Sequence, residues 1–259
     1  MKIGFIGLGN VGGKLAGSLL RNGYALSVRD LDKTAAQPLL DRGAGWADSP
    51  KQLAQTCDAV ITCLPSPAAS AAVMEADDGV LAGFGGGKIW AEMSTTDEAE
   101  VKRLGQKVTT LGAGALDCPV SGGCHRAATG NISIFAGGER ATFEQLLPVL
   151  TTLGRRVLHT GPLGSASVLK VMTNYLATAN LLSLCEALTT MKAAGLDLAT
   201  TYEAIRMSSG NSFVHETESQ VILNGSRDIN FTMDLVLKDI GLFQAIAERA
   251  GIPPVSYTH

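Results

Sequence analysis

Through the first 160 or so positions, short apolar runs alternate with stretches of helical periodicity. Lys2–Gly7, Ala25–Arg29, Ala59–Leu64, Lys88–Glu92, Gly114–Cys118, Ile132–Ala136 and Val157–His159 read as strands. Between them, Val11–Arg21, Lys33–Asp41, Pro50–Gln55, Asp97–Val108 and Arg140–Leu153 read as helices. Such alternation predicts an α/β fold with a mostly parallel sheet covered by helices on both faces. After Gly164 the pattern changes. Ser165 to Gly195 reads as one helix of about eight turns, with Gly195 placed to end it. Leu198–Met207, Phe213–Ile222 and Met233–Ala250 continue the helical pattern, and no strand is predicted there. The expected organisation is an α/β domain over 1–162 and an all-α domain over 163–259.

Composition narrows the function. The 259 residues are 46% hydrophobic and 17% charged, with a formal net charge of −3 and no block of Lys or Arg. Nucleic acid and anionic membrane are therefore not expected partners. The five cysteines, at 57, 63, 118, 124 and 185, contain no CxxC pair. That pattern is neither a disulfide framework nor a zinc site, so no metal is expected, and it suits a reducing compartment. Four glycines in the first twelve positions break any apolar leader helix. Lys170, Asn174 and Asn180 interrupt the most apolar later run, where a spanning helix needs about 20 mostly apolar residues. A cytoplasmic protein is expected.

The segment "GFIGLGNVGGKLAG" places Gly7-x-Gly9-x-x-Gly12 between the first strand and the first helix. There Gly7 permits a tight turn, Gly9 lets backbone approach a pyrophosphate, and Gly12 allows close helix–strand packing. Leu8, Asn10 and Val11 complete the loop, whose amides face an anion at the helix start. Asp30 ends the second strand. A carboxylate there accepts from the adenine ribose hydroxyls and repels a 2′-phosphate, which favours NAD; Arg29 next door leaves NADP open. Asp30 could instead cap the helix near Lys33, a task that Asp32 could also perform. Leu64 and Pro65 in "CLPSP", and Thr95 in "AEMSTTD", follow later strands and are candidates to line the cofactor path.

Hydride transfer needs a proton donor or acceptor beside the reacting carbon. Lys170 sits among Val168, Leu169, Val171 and Met172, with Asn174 one helical turn further on. Desolvated beside a positive pyridine ring, its amine would exchange a proton near neutrality; the competing expectation is a stem that carries the charge out to water.

Four ordered segments, "GFIGLGNVGG", "DCPVSGGCHRAATG", "GSASVLKVMTN" and "KDIGLF", resemble those of the β-hydroxyacid dehydrogenase family. The resemblance covers essentially the whole chain. It implies a Rossmann-type domain followed by a helical domain, usually in dimers or tetramers. It further implies that Ser121 and the amides of Gly122 and Gly123 hold a substrate carboxylate, which suits a glycine-built nest with a hydroxyl beside it. By the same resemblance Lys170 is catalytic, with Asn174 its substrate-orienting partner. Phe231 and Asp239 lie near the substrate pocket, while Lys238 and Thr95 attend the cofactor.

Several positions depart from the family pattern. Cys124, His125 and Arg126 replace a small residue and Gly after the paired glycines. Arg126 either reads a second anionic group or forms a surface ion pair. Cys118 stands where a small residue is usual and is expected to pack in the core. Thr173 stands where many relatives carry a second Asn, and where decarboxylating 6-phosphogluconate dehydrogenases carry His. The chain also ends at "GIPPVSYTH", where relatives usually continue.

The expected activity is NAD(P)-dependent hydride transfer between nicotinamide and a small 3-hydroxy acid of the 3-hydroxyisobutyrate kind, or its semialdehyde. Reduction of tartronate semialdehyde or another short aldehyde acid is the alternative. A 6-phosphogluconate dehydrogenase relative, an imine reductase and a non-catalytic dinucleotide-binding protein rank below these. A small anionic substrate and a second copy of the chain, as homodimer or homotetramer, are the expected partners.

Overall fold

A computed structural model describes residues 1–226 and 231–253. The last six residues of the sequence, including most of its closing "GIPPVSYTH", lie outside the described residues. The chain divides into two compact units, Met1–Lys170 and Val171–His259.

The first unit alternates strand and helix: β1 (Lys2–Ile6), α1 (Gly12–Arg21), β2 (Ala25–Arg29), a 3-10 turn (Lys33–Ala36) running into α2 (Gln37–Leu40), and β3 (Gly45–Trp46). Next come α3 (Pro50–Thr56), β4 (Ala59–Thr62), α4 (Pro67–Glu75), β5 (Ile89–Glu92), α5 (Glu98–Thr110) and β6 (Gly114–Asp117). The unit finishes with β7 (Val120–Ser121), α6 (Gly123–Ala128), β8 (Ile132–Gly138), α7 (Arg140–Leu153), β9 (Gly154–Gly161) and the first turns of α8 (Ser165–Ala193). Among the described residues these strands form one sheet in the order β3-β2-β1-β4-β5-β6-β8-β7, with β9 beside β8. From β3 to β6 every pairing is parallel; β8 runs antiparallel to β6 and β7.

Period-2 alternation explains why the strands read as unbroken apolar runs. Ile3, Phe5, Ile61, Ile89, Ala91 and Leu116 point into one core, and Ile6, Val60, Trp90 and Ala115 into another. Both faces are covered, so neither can be polar. β2 and β4 flank β1, so the strand order reverses there and opens a crevice beyond the carboxyl ends of β1 and β4.

The expected Lys33–Asp41 helix is a 3-10 turn plus one short α-turn, because Pro38 starts the second piece and cannot continue the first. The α4 helix was not expected. Its start signal is Ser66, whose hydroxyl accepts from the Ala69 amide, followed by Pro67 in the first helical turn.

In the second unit α8 continues and is followed by α9 (Leu198–Arg206), α10 (Phe213–Leu223) and α11 (Met233–Arg249). Asp197, Ser212 and Thr232 cap the last three by accepting from the amides of Thr200, His215 and Leu235. Gly195 has φ +85 just beyond the end of α8, a left-handed value that suits a helix stop. Tyr175 and Phe243 stack with ring centroids 3.7 Å apart. Among the described residues no helix is long and apolar enough to cross a membrane.

Candidate active site

The loop after β1 is built from three glycines with different constraints. Gly7 has φ +94, and a Cβ there would collide with the Cys63 carbonyl. A Cβ on Gly12 would strike the carbonyl of Gly7. A Cβ on Gly9, in contrast, would meet nothing within 4 Å. Two glycines close the turn and the third faces open space, which fits a ligand lying against main chain. Val11 precedes α1 without a side-chain cap, so no side chain competes for the first-turn amides. Leu8 is buried and Asn10 exposed in the same loop.

Asp30 is tied to this loop. Its carboxylate accepts from the Leu8 amide at 2.6 Å and from the Asp32 amide at 3.0 Å. The capping near Lys33 belongs to Asp32, which accepts from the Thr34 amide at 2.9 Å. Arg29 and Lys33 both lie over the Trp46 ring, at 5.1 and 5.2 Å from its centroid.

Behind the crevice runs a buried polar relay. The Leu64 amide donates to Ser94 Oγ at 2.7 Å, and both the Ser94 amide and its hydroxyl donate to Glu92 Oε1. Glu92 is wholly buried, and that burial drives its carboxyl pKa upward against the hydrogen bonds from Ser94. Pro65 is exposed and Thr95 half-buried on the loops leaving β4 and β5. Burial pushes the Cys63 thiol up to about 12, with Glu92 and Cys124 adding to the effect. Cys118 is raised for the same leading reason, and it is packed in the core as expected.

Beyond β6, Val120 and Ser121 form β7 against Ile134 and Ser133. Gly122 and Gly123 follow with φ +130 and +78, so the paired glycines occupy backbone that other residues avoid. Cys124 is buried, Arg126 half-buried and His125 exposed. Asp117, at the end of β6, accepts from the Gly164 amide at 2.8 Å, the Ser167 amide at 2.7 Å and the Ser167 hydroxyl at 2.8 Å. Lys170 follows one turn later and is only 7% exposed, so its side chain does not run out to water.

In the second unit Asn174 Nδ2 donates to Asp239 Oδ2 at 2.6 Å, and Lys238 pairs with Asp239 Oδ1 at 2.7 Å. Asp239 is buried; Phe231, just ahead of α11, is 41% exposed. Three expected site residues, Asn174, Lys238 and Asp239, thus form one hydrogen-bonded group.

A sequence profile for the NAD binding domain of 6-phosphogluconate dehydrogenase matches residues 2–161. A second, for the NAD-binding region of NADP-dependent 3-hydroxyisobutyrate dehydrogenase, matches residues 164–258. The chain belongs to the β-hydroxyacid dehydrogenase family. Within it, the chain is 34% identical over 256 residues to NAD-dependent L-serine dehydrogenase of Pseudomonas aeruginosa, covering 96% of this chain and 86% of that one. It is 32% identical over 254 residues to 2-(hydroxymethyl)glutarate dehydrogenase of Eubacterium barkeri, covering 98% and 84% respectively. Among solved structures, Mycobacterium tuberculosis 3-hydroxyisobutyrate dehydrogenase with L-serine superposes with a TM-score of 0.90 at 25% identity. That match covers 100% of this chain and 90% of the other. The β-hydroxyacid dehydrogenase is an NAD(P)-dependent oxidoreductase, with the Rossmann-type sheet and helical second part expected of it.

Sequence reasoning missed Asp117, Ser167, Glu92 and Ser94 as parts of the site's framework. The signal for Asp117 was its place at the head of the "DCPVSGG" motif; a carboxylate at the end of an apolar strand must find donors. Glu92 carried the same signal in "IWAEMS".

Proposed function

We propose that this dehydrogenase oxidises a small 3-hydroxy acid of the 3-hydroxyisobutyrate kind, with Lys170 exchanging the substrate's hydroxyl proton at Nζ. The burial of Lys170 in the first turns of α8 carries the reading. A desolvated ammonium gives up its proton more readily near neutral pH than a solvated one. Bound nicotinamide supplies the hydride acceptor. The Ser121 hydroxyl and the amides of Gly122 and Gly123 hold the substrate carboxylate, which the positive φ values of both glycines support. Asn174, held by Asp239, orients the substrate. The substrates in the relatives' names support the class: serine, 2-(hydroxymethyl)glutarate and 3-hydroxyisobutyrate each carry a hydroxyl on the carbon beta to a carboxylate.

NAD is the preferred cofactor in this reading. The Asp30 carboxylate, fixed on the Leu8 amide, places negative charge where a 2′-phosphate would sit. Arg29 and Lys33 over Trp46 keep NADP as the weaker substrate rather than an excluded one. The free cysteines support a cytoplasmic setting. Exposed apolar side chains on α8 to α11 support self-association with a second copy of the chain.

Initial rates with a panel of hydroxy acids, each with NAD and NADP, test the substrate and cofactor assignments. Lys170→Ala is expected to lower turnover by roughly 10²–10⁴ while NADH affinity stays nearly intact. Near-normal turnover in that variant would defeat the assignment of Lys170.

A further inference from the structure

Asp117 has no part in binding or proton transfer as assigned above, yet it is a wholly buried carboxylate with three donors. Those donors are the amides of Gly164 and Ser167 and the Ser167 hydroxyl, at the very start of α8. The first amides of a helix have no partner inside it. A cap usually comes from the residue just before the helix; here it comes from the end of β6, 47 and 50 residues away in sequence. The space around Asp117 Oδ1 is tight as well. A Cβ on Gly137 of β8 would press on Asp117 Oδ1 and lie 2.8 Å from Ser165 Oγ and 2.9 Å from the Pro162 carbonyl. Glycine at 137 leaves room for the strand, the carboxylate and the helix start to meet.

The geometry assigns a purpose to this clamp. Ser167 lies three residues before Lys170, on the same side of α8 and one turn away. Asp117 lies four residues before Ser121 on the other arm. Two oxygens gripping two separate points of the first turn restrain rotation about the helix axis as well as sliding along it. Proton transfer is sensitive to both, since a misplacement of about 1 Å can cost on the order of 10²-fold in rate.

We propose that Asp117 is the positioning residue for Lys170, fixing the base of the catalytic side chain against the strand that leads into the substrate loop. The proposal rests on the assignment of Lys170 to proton transfer. Asn at 117 would keep one acceptor but turn an amide donor towards a second N–H donor, so it disrupts the clamp without changing its size.

The test compares Asp117→Asn, Ser167→Ala and Lys170→Ala with the wild-type enzyme. Read out are kcat, KM for the hydroxy acid, KM for NAD, NADH affinity by fluorescence, and the solvent deuterium isotope effect on kcat. Asp117→Asn is expected to lower kcat by roughly tenfold to 10²-fold, with NADH affinity within about twofold of wild type. Its solvent isotope effect should rise as proton transfer becomes slower. Ser167→Ala, which removes one of the three bonds and keeps the carboxylate, is expected to show a smaller fall of the same kind. Wild-type kcat in a folded Asp117→Asn variant overturns the proposal. So does a fall in kcat and NADH affinity together with an unchanged isotope effect, which is what general loosening of the fold would give. Should Asp117→Asn fail to fold, Ser167→Ala decides by the same criteria. An active Lys170→Ala enzyme would instead remove the assignment on which the clamp depends.

Discussion

The two units solve the problem of burying apolar surface in different ways. Met1–Lys170 encloses two apolar clusters, one on each face of its sheet, and finishes its surface with charge. The surface of α5, for example, carries Arg103 and Lys107 paired to Glu75 of α4. Val171–His259 buries Val171, Leu184, Leu188, Val214, Leu242 and Ala247. It leaves Leu176, Leu182, Met207, Phe213, Met233 and Leu237 more than half exposed. A helical unit with few buried apolar side chains and many exposed ones is short of core by itself. The proposed second copy of the chain would cover these exposed side chains of the second unit.

The glycine loop gives the largest effects with which to sharpen this contrast. Gly7→Ala forces a side chain into left-handed backbone and against the Cys63 carbonyl, so it should destabilise the protein by about 2–6 kcal/mol in denaturant melts. Gly9→Ala meets open space and should melt like wild type while NADH binding is lost. Equal destabilisation by the two would show that Gly9 is a fold glycine and not a ligand glycine.

Next in size is the apolar surface of the helical unit. Leu182→Asp or Phe213→Asp should shift the enzyme to smaller species in sedimentation velocity, weakening association by 2 kcal/mol or more if each is an interface anchor, roughly 30-fold in Kd. Leu158→Asp, at a similarly exposed apolar site of the first unit, should leave the sedimentation coefficient unchanged. A wild-type protein that sediments as a monomer would break the comparison itself.

Third is Glu92, whose burial raises its carboxyl pKa against the hydrogen bonds from Ser94. A carboxyl whose folded pKa is raised contributes most below its unfolded value, and that contribution is lost as pH climbs towards the folded value. Glu92→Gln keeps the acceptor for Ser94 and removes the titration. Relative to wild type, the variant should therefore gain stability as pH rises above the ordinary Glu value of 4.5. Glu92→Ala strands the Ser94 hydroxyl and should cost about 1–3 kcal/mol near pH 4.5, a cost that shrinks as pH rises.

These residues also mark where the sequence could and could not be read. The glycine loop was legible because a tight turn, an open approach and a close helix packing each demand glycine at a fixed spacing. The strands were legible because a sheet covered on both faces needs apolar residues at every position. The α4 helix was hidden because "PAASAAVME" has no polar face to give it a period, leaving only Ser66 and Pro67 as markers. Asp117 and Glu92 were visible as letters, but their partners are non-local. Nothing in the local spacing says that Asp117 reaches Gly164 and Ser167, or that Glu92 reaches the Leu64 loop through Ser94. In the helical unit the contacts from Asn174 to Asp239 were equally remote, and the resemblance singled out the residues without joining them.

The smallest expected effect concerns the charged finish of the first unit. Arg103 grips both oxygens of Glu75 at 2.7 Å and Lys107 pairs with one of them. Together they hold the Glu75 carboxyl down at about 2, against an ordinary 4.5. A depressed carboxyl contributes stability above its unfolded pKa and loses it as pH falls towards the folded one, opposite in sign to Glu92. The pair is solvent-exposed, with side-chain exposures of 43% for Arg103 and 26% for Glu75, so water and salt screen most of that shift. Glu75→Gln should therefore cost less than about 1 kcal/mol at pH 7, and less again in 0.5 M salt than in low salt. Its difference from wild type should shrink as pH falls through about 2, where Glu75 takes up its proton. A larger loss at pH 7 that ignores salt would mean that α4 and α5 rely on this network as a core does, and the surface of the first unit would then be unfinished too.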